Sequence, residues 1–213
     1  NMEFLSGGKV EVESGVLLEH LIKACCRKGL GGLEELSGIP GMVGGALLMN
    51  AGAIDTEIAN LVSQVYLTDG QGEWALRREQ VDFEYRQSGL DGKGVITRTL
   101  LQLKETDPKE LEERSSKVLA RRKAVQKVAG AHVGSVFKNP TGEKAWRLID
   151  KAGLRGCRIG NAEVSSEHCN HIVNLGGASS ADVLALIEEV QQAVLQTSGQ
   201  LLELEVRLVG WKD

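Results

Sequence analysis

Apolar and polar positions follow two rhythms along the chain, and the switches between them lay out its elements. Lys9–Glu13 (KVEVE) alternates and predicts a short strand. The next segment places Leu17, Leu18, Leu21, Ile22 and Cys25 on one helical face and stops at Gly29. LVSQVYLTDGQGEWALRR reads as two strands joined by a turn at Asp69-Gly70-Gln71-Gly72, and GVITRTLLQLKE as a further strand alternating from Val95. Asp107-Pro108 opens a helix running through KELEERSSKVLARRKAVQKV, with proline at or near its first position. Its many charges describe a solvated face.

The second half continues the pattern. GSVFKNP predicts a strand ended by Pro140, EKAWRLIDKAG a short helix, and AEVSSEHCNHIVNLG a lead into a buried strand. SSADVLALIEEVQQAVLQTSG is the strongest helix, capped by Ser180, with Val183, Leu184, Leu186, Ile187, Val190, Val194 and Leu195 as its apolar stripe. LLELEVRLVG closes the chain as a strand. This order predicts an α+β protein with mixed sheets. A composition shift near residue 106 divides it into domains 1–106 and 107–213.

Composition narrows the function classes without selecting one. The 213 residues are 42% hydrophobic and 25% charged, with a formal net charge of -4, which opposes a nucleic-acid footprint. No apolar run approaches the roughly 20 residues of a membrane span, and no signal-peptide core is visible, so a cytoplasmic protein without membrane association is expected. Cys25, Cys26, Cys157 and Cys169 lack metal-like spacing and read as free thiols. His168 and His171 lie three apart with no completing partner, so no metal site is expected. Asn1 stands ahead of Met2, which reads as an added residue or as numbering that begins inside a longer chain.

SGIPGMVGGALLMNAGA, residues 37–53, concentrates five glycines in one short run. Glycines there cost backbone entropy and forgo core contacts, so something must approach the main chain closely. The spacing is neither a dinucleotide fingerprint nor a P-loop. Physical reasoning leaves two occupants open, a ligand and a tightly packed helix crossing.

Three further stretches, FEYRQS, GSVFKNP and LELEVRLVG, follow this loop in order. Together the four resemble the UDP-N-acetylenolpyruvoylglucosamine reductases, also called UDP-N-acetylmuramate dehydrogenases, from about Lys9 to Gly210. AGLRGCRIGNAEVSSEHCNHIVN and GGASSADVLALI belong to the same match, and the chain looks like the second of the family's two types. The resemblance implies the C-terminal part of a vanillyl-alcohol-oxidase-type FAD-binding module, followed by an α+β substrate-binding domain. It implies an oxidoreductase of peptidoglycan precursor synthesis that uses FAD, with NADPH as co-substrate and a UDP-sugar as substrate.

Carried onto this sequence, the resemblance makes Arg86, Ser135 and Glu205 catalytic. It places Ile39, Pro40, Gly41, Gly44, Gly45, Asn50 and Gly52 against the flavin, and Asn139 and His168 at the substrate. A guanidinium suits a substrate carboxylate on which negative charge builds, because it stays charged and grips with two donors. A serine hydroxyl can deliver a proton only to a strongly basic carbon in a dry, arranged site. Glu205 would orient a water or substrate group, or polarise the enolate if protonated. Read alone, Arg86 closes a strand at the surface, Ser135 is a turn residue and Glu205 faces solvent.

The family's pattern also includes a glycine-rich lobe ahead of this chain's first residue, whose last strands NMEFLSGGKVEVESG resembles. The alternative function is therefore a truncated, non-catalytic remnant or UDP-sugar-binding module. Within the chain, Ile54-Asp55 stand where Tyr-Gly is usual, a proline is missing after Gln126, His132-Val133 precede Gly134, and His171 replaces an aromatic.

Overall fold

The structure is a computed structural model that describes residues 1–53, 56–125 and 128–210. The departures at Ile54-Asp55 and after Gln126 lie outside these residues. The chain divides into two compact units, Asn1–Ala124 and Val125–Asp213.

The first unit is built on an antiparallel sheet of β1 (Met2–Leu5), β2 (Lys9–Glu13), β6 (Val62–Thr68), β7 (Glu73–Arg77) and β8 (Val95–Gln102), in the order β1-β2-β8-β6-β7. Two short antiparallel ladders accompany it, β3 (Leu30–Gly31) with β9 (Lys104–Glu105) and β4 (Gly52–Ala53) with β5 (Thr56–Glu57). The expected hairpin turn is held by the Asp69 carboxylate, which accepts the N–H groups of Gln71 at 2.9 Å and Gly72 at 3.1 Å. Helix α1 (Leu18–Arg27) buries Leu18, Leu21, Ile22, Cys25 and Cys26. The short α2 (Val43–Leu48) lies inside the glycine-rich run.

Helix α3 (Pro108–Val125) starts where Asp107 Oδ1 accepts the Lys109 N–H at 2.8 Å. Its charged sequence conceals one packed edge. Leu111 is fully buried in the first core, the Ser115 hydroxyl meets that of Ser37 at 2.8 Å, and Leu119 and Arg122 pack over Gly38. The composition shift near residue 106 thus falls before α3, while the break between compact units falls after it.

In the second unit, β10 (Ala131–His132), β13 (Ile172–Asn174), β12 (Ala162–Val164) and β11 (Arg158–Ile159) form a second antiparallel sheet in that order. Helices α4 (Ala145–Lys151) and α5 (Ser180–Ser198) contribute Leu148, Ile149, Leu186, Ile187, Val190 and Val194 to its core. The α+β class is as expected, but the four ladders of the first sheet's order and the three of the second are all antiparallel, so the sheets are not mixed.

Three local expectations are corrected. Ser179, not Ser180, caps α5: its hydroxyl accepts the Asp182 N–H at 3.1 Å while Asp182 accepts the Ser179 N–H at 2.9 Å. Leu195 turns away from the stripe and is 46% exposed, since a run of 183, 187, 190 and 194 already fills the inward face. GSVFKNP and LLELEVRLVG are not ladder strands; they meet in one isolated bridge, Phe137 to Leu204. Around that bridge Lys138 donates to the Glu203 carbonyl and Glu205 to that of Val136, both at 2.8 Å. Val136 donates to the Asn170 carbonyl and Phe137 pairs with a side chain described below, so the pairing stops short of a regular ladder.

Candidate functional site

In the first unit the glycine-rich segment runs antiparallel to residues 14–18. Leu18 donates to the Gly41 carbonyl at 3.0 Å, Val43 to Val16 at 2.9 Å, and Gly44 to Ser14 at 2.9 Å. Pinned this way, Pro40, Gly41, Met42 and Gly45 remain exposed, while Ile39 is half-buried. The glycines have different physical reasons. A Cβ at Gly44 would stand 2.8 Å from Ser14 Cβ, so packing alone excludes a larger residue. Gly41 has φ +116°, which side chains rarely adopt. Gly45 has neither constraint, and a Cβ there would meet no neighbour within 4 Å. The absence of a side chain at Gly45 is unexplained by the fold and fits a flat group lying on the main chain.

FEYRQS folds back toward the end of this segment as a tight turn. Glu84 and Gln87 exchange N–H···O bonds of 3.0 and 3.2 Å, leaving Tyr85 and Arg86 at the corner. Arg86 has φ +60°, a left-handed conformation uncommon for a residue with a Cβ. Three links stitch the turn to the glycine-rich run. Ser88 donates to the Leu48 carbonyl at 2.9 Å, Asn50 Nδ2 to that of Glu84 at 2.9 Å, and Arg86 Nη2 to that of Gly52 at 3.2 Å. The structure therefore brings Arg86 to the loop named for the cofactor.

Asn50 stands in this arrangement as its pivot. It is fully buried with φ +43°; besides the Glu84 bond, its amide donates to Glu57 at 2.7 Å and its oxygen accepts from Ala59 at 3.3 Å. Its side chain is thus committed to holding the turn. Arg122 approaches the same segment from α3, its Cδ 2.9 Å from where a Gly38 Cβ would sit. Burial first, and the charge of Arg86 second, push its guanidinium below the ordinary arginine range. Sequence reading missed Arg122 because it lies within a run of charges that look solvated.

In the second unit Ser135 is half-buried and follows Gly134, whose φ is +89°. The next residue, Val136, accepts the Glu205 N–H at 2.8 Å, so two of the three catalytic candidates occupy neighbouring backbone. Asn139 is exposed, and its side-chain oxygen accepts the Ala145 N–H at 3.1 Å, capping the start of α4. His168 is half-buried; the Ser165 hydroxyl accepts its N–H at 3.2 Å, and its ring meets His171 with 2.9 Å between Nδ1 atoms.

Asn170, which sequence reading did not single out, organises this region. Its oxygen accepts the Phe137 N–H at 3.0 Å, and its Nδ2 donates to the Phe137 carbonyl at 2.8 Å. A carboxamide thereby takes the place of a neighbouring strand. No spacing rule reveals such a role, because the two residues lie 33 apart. Among the described residues no group of three or more His, Cys, Asp or Glu could hold a metal ion. No described helix is long and apolar enough to cross a membrane.

The comparisons with known proteins agree with one another. Residues 3–75 match the family described as FAD binding domain, and residues 126–209 the one described as UDP-N-acetylenolpyruvoylglucosamine reductase, C-terminal domain. The reductase of Syntrophotalea carbinolica is 40% identical over 99% of this chain and 70% of its own length; that of Geobacter metallireducens is 44% identical over 98% and 70%. The crystal structure of the Thermus caldophilus reductase superposes with a TM-score of 0.82 at 41% identity, covering 92% of this chain and 71% of that one. The chain thus spans about 70% of the length of these relatives, at an identity that settles descent: it belongs to the UDP-N-acetylenolpyruvoylglucosamine reductase family and carries an FAD-binding domain.

Proposed function

We propose that this chain serves the reduction of a UDP-linked enolpyruvyl ether to UDP-N-acetylmuramate with NADPH, in the cytoplasm. The observation that carries this reading is the stitched turn that holds Arg86 on the Gly52 carbonyl, beside a glycine-rich segment with open space over Gly45. A flavin ring fits such a surface. Gly41, Gly44 and Gly45, flanked by Ile39 and Pro40, would hold it, with Gly52 at the far end and Asn50 fixing the backbone between. The bound flavin would supply hydride to the methylene carbon of the substrate.

Hydride on that carbon leaves two electrons to be accommodated by the adjacent carbon and the carboxylate. Arg86 would bind the carboxylate and stabilise its growing charge, for which such electrostatic contributions are often about 3–4 kcal/mol. The strained φ of Arg86 is consistent with a residue held for function against its backbone preference. Ser135 would donate the proton to the adjacent carbon, completing addition of one hydride and one proton across the double bond. Glu205 would orient the donor or the enolate, Asn139 would touch the diphosphate, and His168 the sugar nucleotide. Arg122 adds positive field at the glycine-rich segment.

The test is direct. Purified protein given FAD should retain a yellow chromophore on desalting and oxidise NADPH only when the enolpyruvyl substrate is present. Binding of the UDP-sugar without flavin would favour the alternative, a UDP-sugar-binding module. Retention of neither ligand would remove both.

A further inference from the structure

Three histidines form a column under the Ser135 turn. The His132 ring stands edge-on to His171 with centroids 5.0 Å apart, and His171 stands edge-on to His168 at 4.5 Å. The outermost ring grips the turn itself: His132 Nδ1 accepts the Gly134 N–H at 3.1 Å, one residue ahead of Ser135. His132 is exposed, His168 half-buried and His171 buried.

We propose that His132 is a positioning residue for Ser135, braced by His171 and His168, and that this column makes the turn sensitive to protons. The proposal rests on the reading of Ser135 as the proton donor. An acceptor at Nδ1 requires His132 to carry no proton there. The 2.9 Å bond between His171 and His168 requires one Nδ1 with a proton and one without. A proton on the accepting Nδ1 would set two donors against each other across 2.9 Å. Burial first, then the neighbouring histidines, pushes His171 down to about 4. Burial, with the charge of Arg155 behind it, also lowers His168.

Arg155 faces His168 and is itself paired with Asp150 at 2.9 Å, while the Glu167 carboxylate accepts the Ala129 N–H at 2.8 Å. Trp146 lies beside His168, with ring centroids 6.3 Å apart. A backbone hydrogen bond at His168 favours the charged form of both inner rings, but burial outweighs it.

Two variants separate the bond from the ring. In His132→Asn the side-chain oxygen can accept the same N–H two residues on, whereas His132→Ala offers no acceptor. Nuclear magnetic resonance of the full chain between pH 7 and 4 should show the Gly134 amide moving with the imidazole nitrogens in the wild type. It should stay still in His132→Asn. In turnover, His132→Ala should lose about tenfold in kcat with little change in KM, a smaller loss than the roughly 100-fold that a full 1 Å misplacement can cost. His132→Asn should recover most of that loss, and His171→Phe should move the acid limb of kcat to lower pH. A Gly134 amide that titrates identically in wild type and His132→Asn would overturn the proposal, as would equal kcat in both His132 variants. The resonance measurement needs no turnover, so it decides the column's effect on the turn even where the reductase reading fails.

Discussion

The carboxamide of Asn170 closes a two-bond ring on the main chain of Phe137, accepting its N–H at 3.0 Å and donating to its carbonyl at 2.8 Å. Both residues are buried, at 4% and 1% exposure, so water cannot replace either bond. Removing the side chain orphans a donor and an acceptor together. Each orphaned group costs about 1–3 kcal/mol. Asn170→Ala should therefore lose about 2–4 kcal/mol in urea unfolding. Asn170→Asp should also lose stability, because a carboxylate cannot donate to the Phe137 carbonyl. Stability unchanged in both would show that the ring does not hold the Ser135 segment.

The two adjacent glycines of α2 should part company on substitution. Gly45→Ala adds a methyl to open space in a helix, where alanine is favoured over glycine by about 0.5–1 kcal/mol. The melting temperature should hold or rise while FAD affinity falls. Gly44→Ala pushes a methyl to 2.8 Å from Ser14 Cβ and should destabilise by about 1–3 kcal/mol. Thermal melts and flavin fluorescence titrations, run on both variants, read the contrast. Undiminished flavin binding by Gly45→Ala would remove the flavin from that surface.

Arg86→Lys keeps the charge but loses the planar pair of donors. The turn is held independently by the Ser88, Asn50 and Glu84–Gln87 bonds, so the fold should survive. We expect kcat to fall by about 100-fold, the loss typical of removing one well-aimed electrostatic donor, with the melting temperature nearly unchanged. A rate within a factor of about two of wild type would exclude a carboxylate-binding guanidinium at this position, since it lies far outside that range.

His171 gives stability a predictable pH slope. Its folded value is about 4, below the ordinary 6.5, so between these limits the unfolded chain binds more protons than the folded one. The contribution is complete above pH 6.5 and is lost as pH falls toward 4. The loss is at most about 3 kcal/mol by linkage. His171→Phe should flatten this part of the curve in denaturant titrations from pH 7 to 4. An identical slope in the variant would show that another group carries it.

Much of this protein is determined locally. Strands β2, β6, β7 and β8 of the first sheet, helices α1 and α5, the Asp69 turn and the α3 start follow from side-chain period, capping and turn chemistry. These are interactions within a few residues, which a linear reading contains. The ordered glycine-rich, FEYRQS, GSVFKNP and LELEVRLVG stretches likewise identify the family. What tertiary structure alone decided is which distant groups meet. Gly44 and Gly45 look alike in sequence, yet one is forced by Ser14 and the other faces open space. GSVFKNP reads as a strand, yet a side chain 33 residues away pairs with both main-chain groups of Phe137. His132 and His171 lie far apart in sequence until folding sets their rings 5.0 Å apart. Each case turns on a contact whose chain separation exceeds any local period, so packing and not pattern determines it.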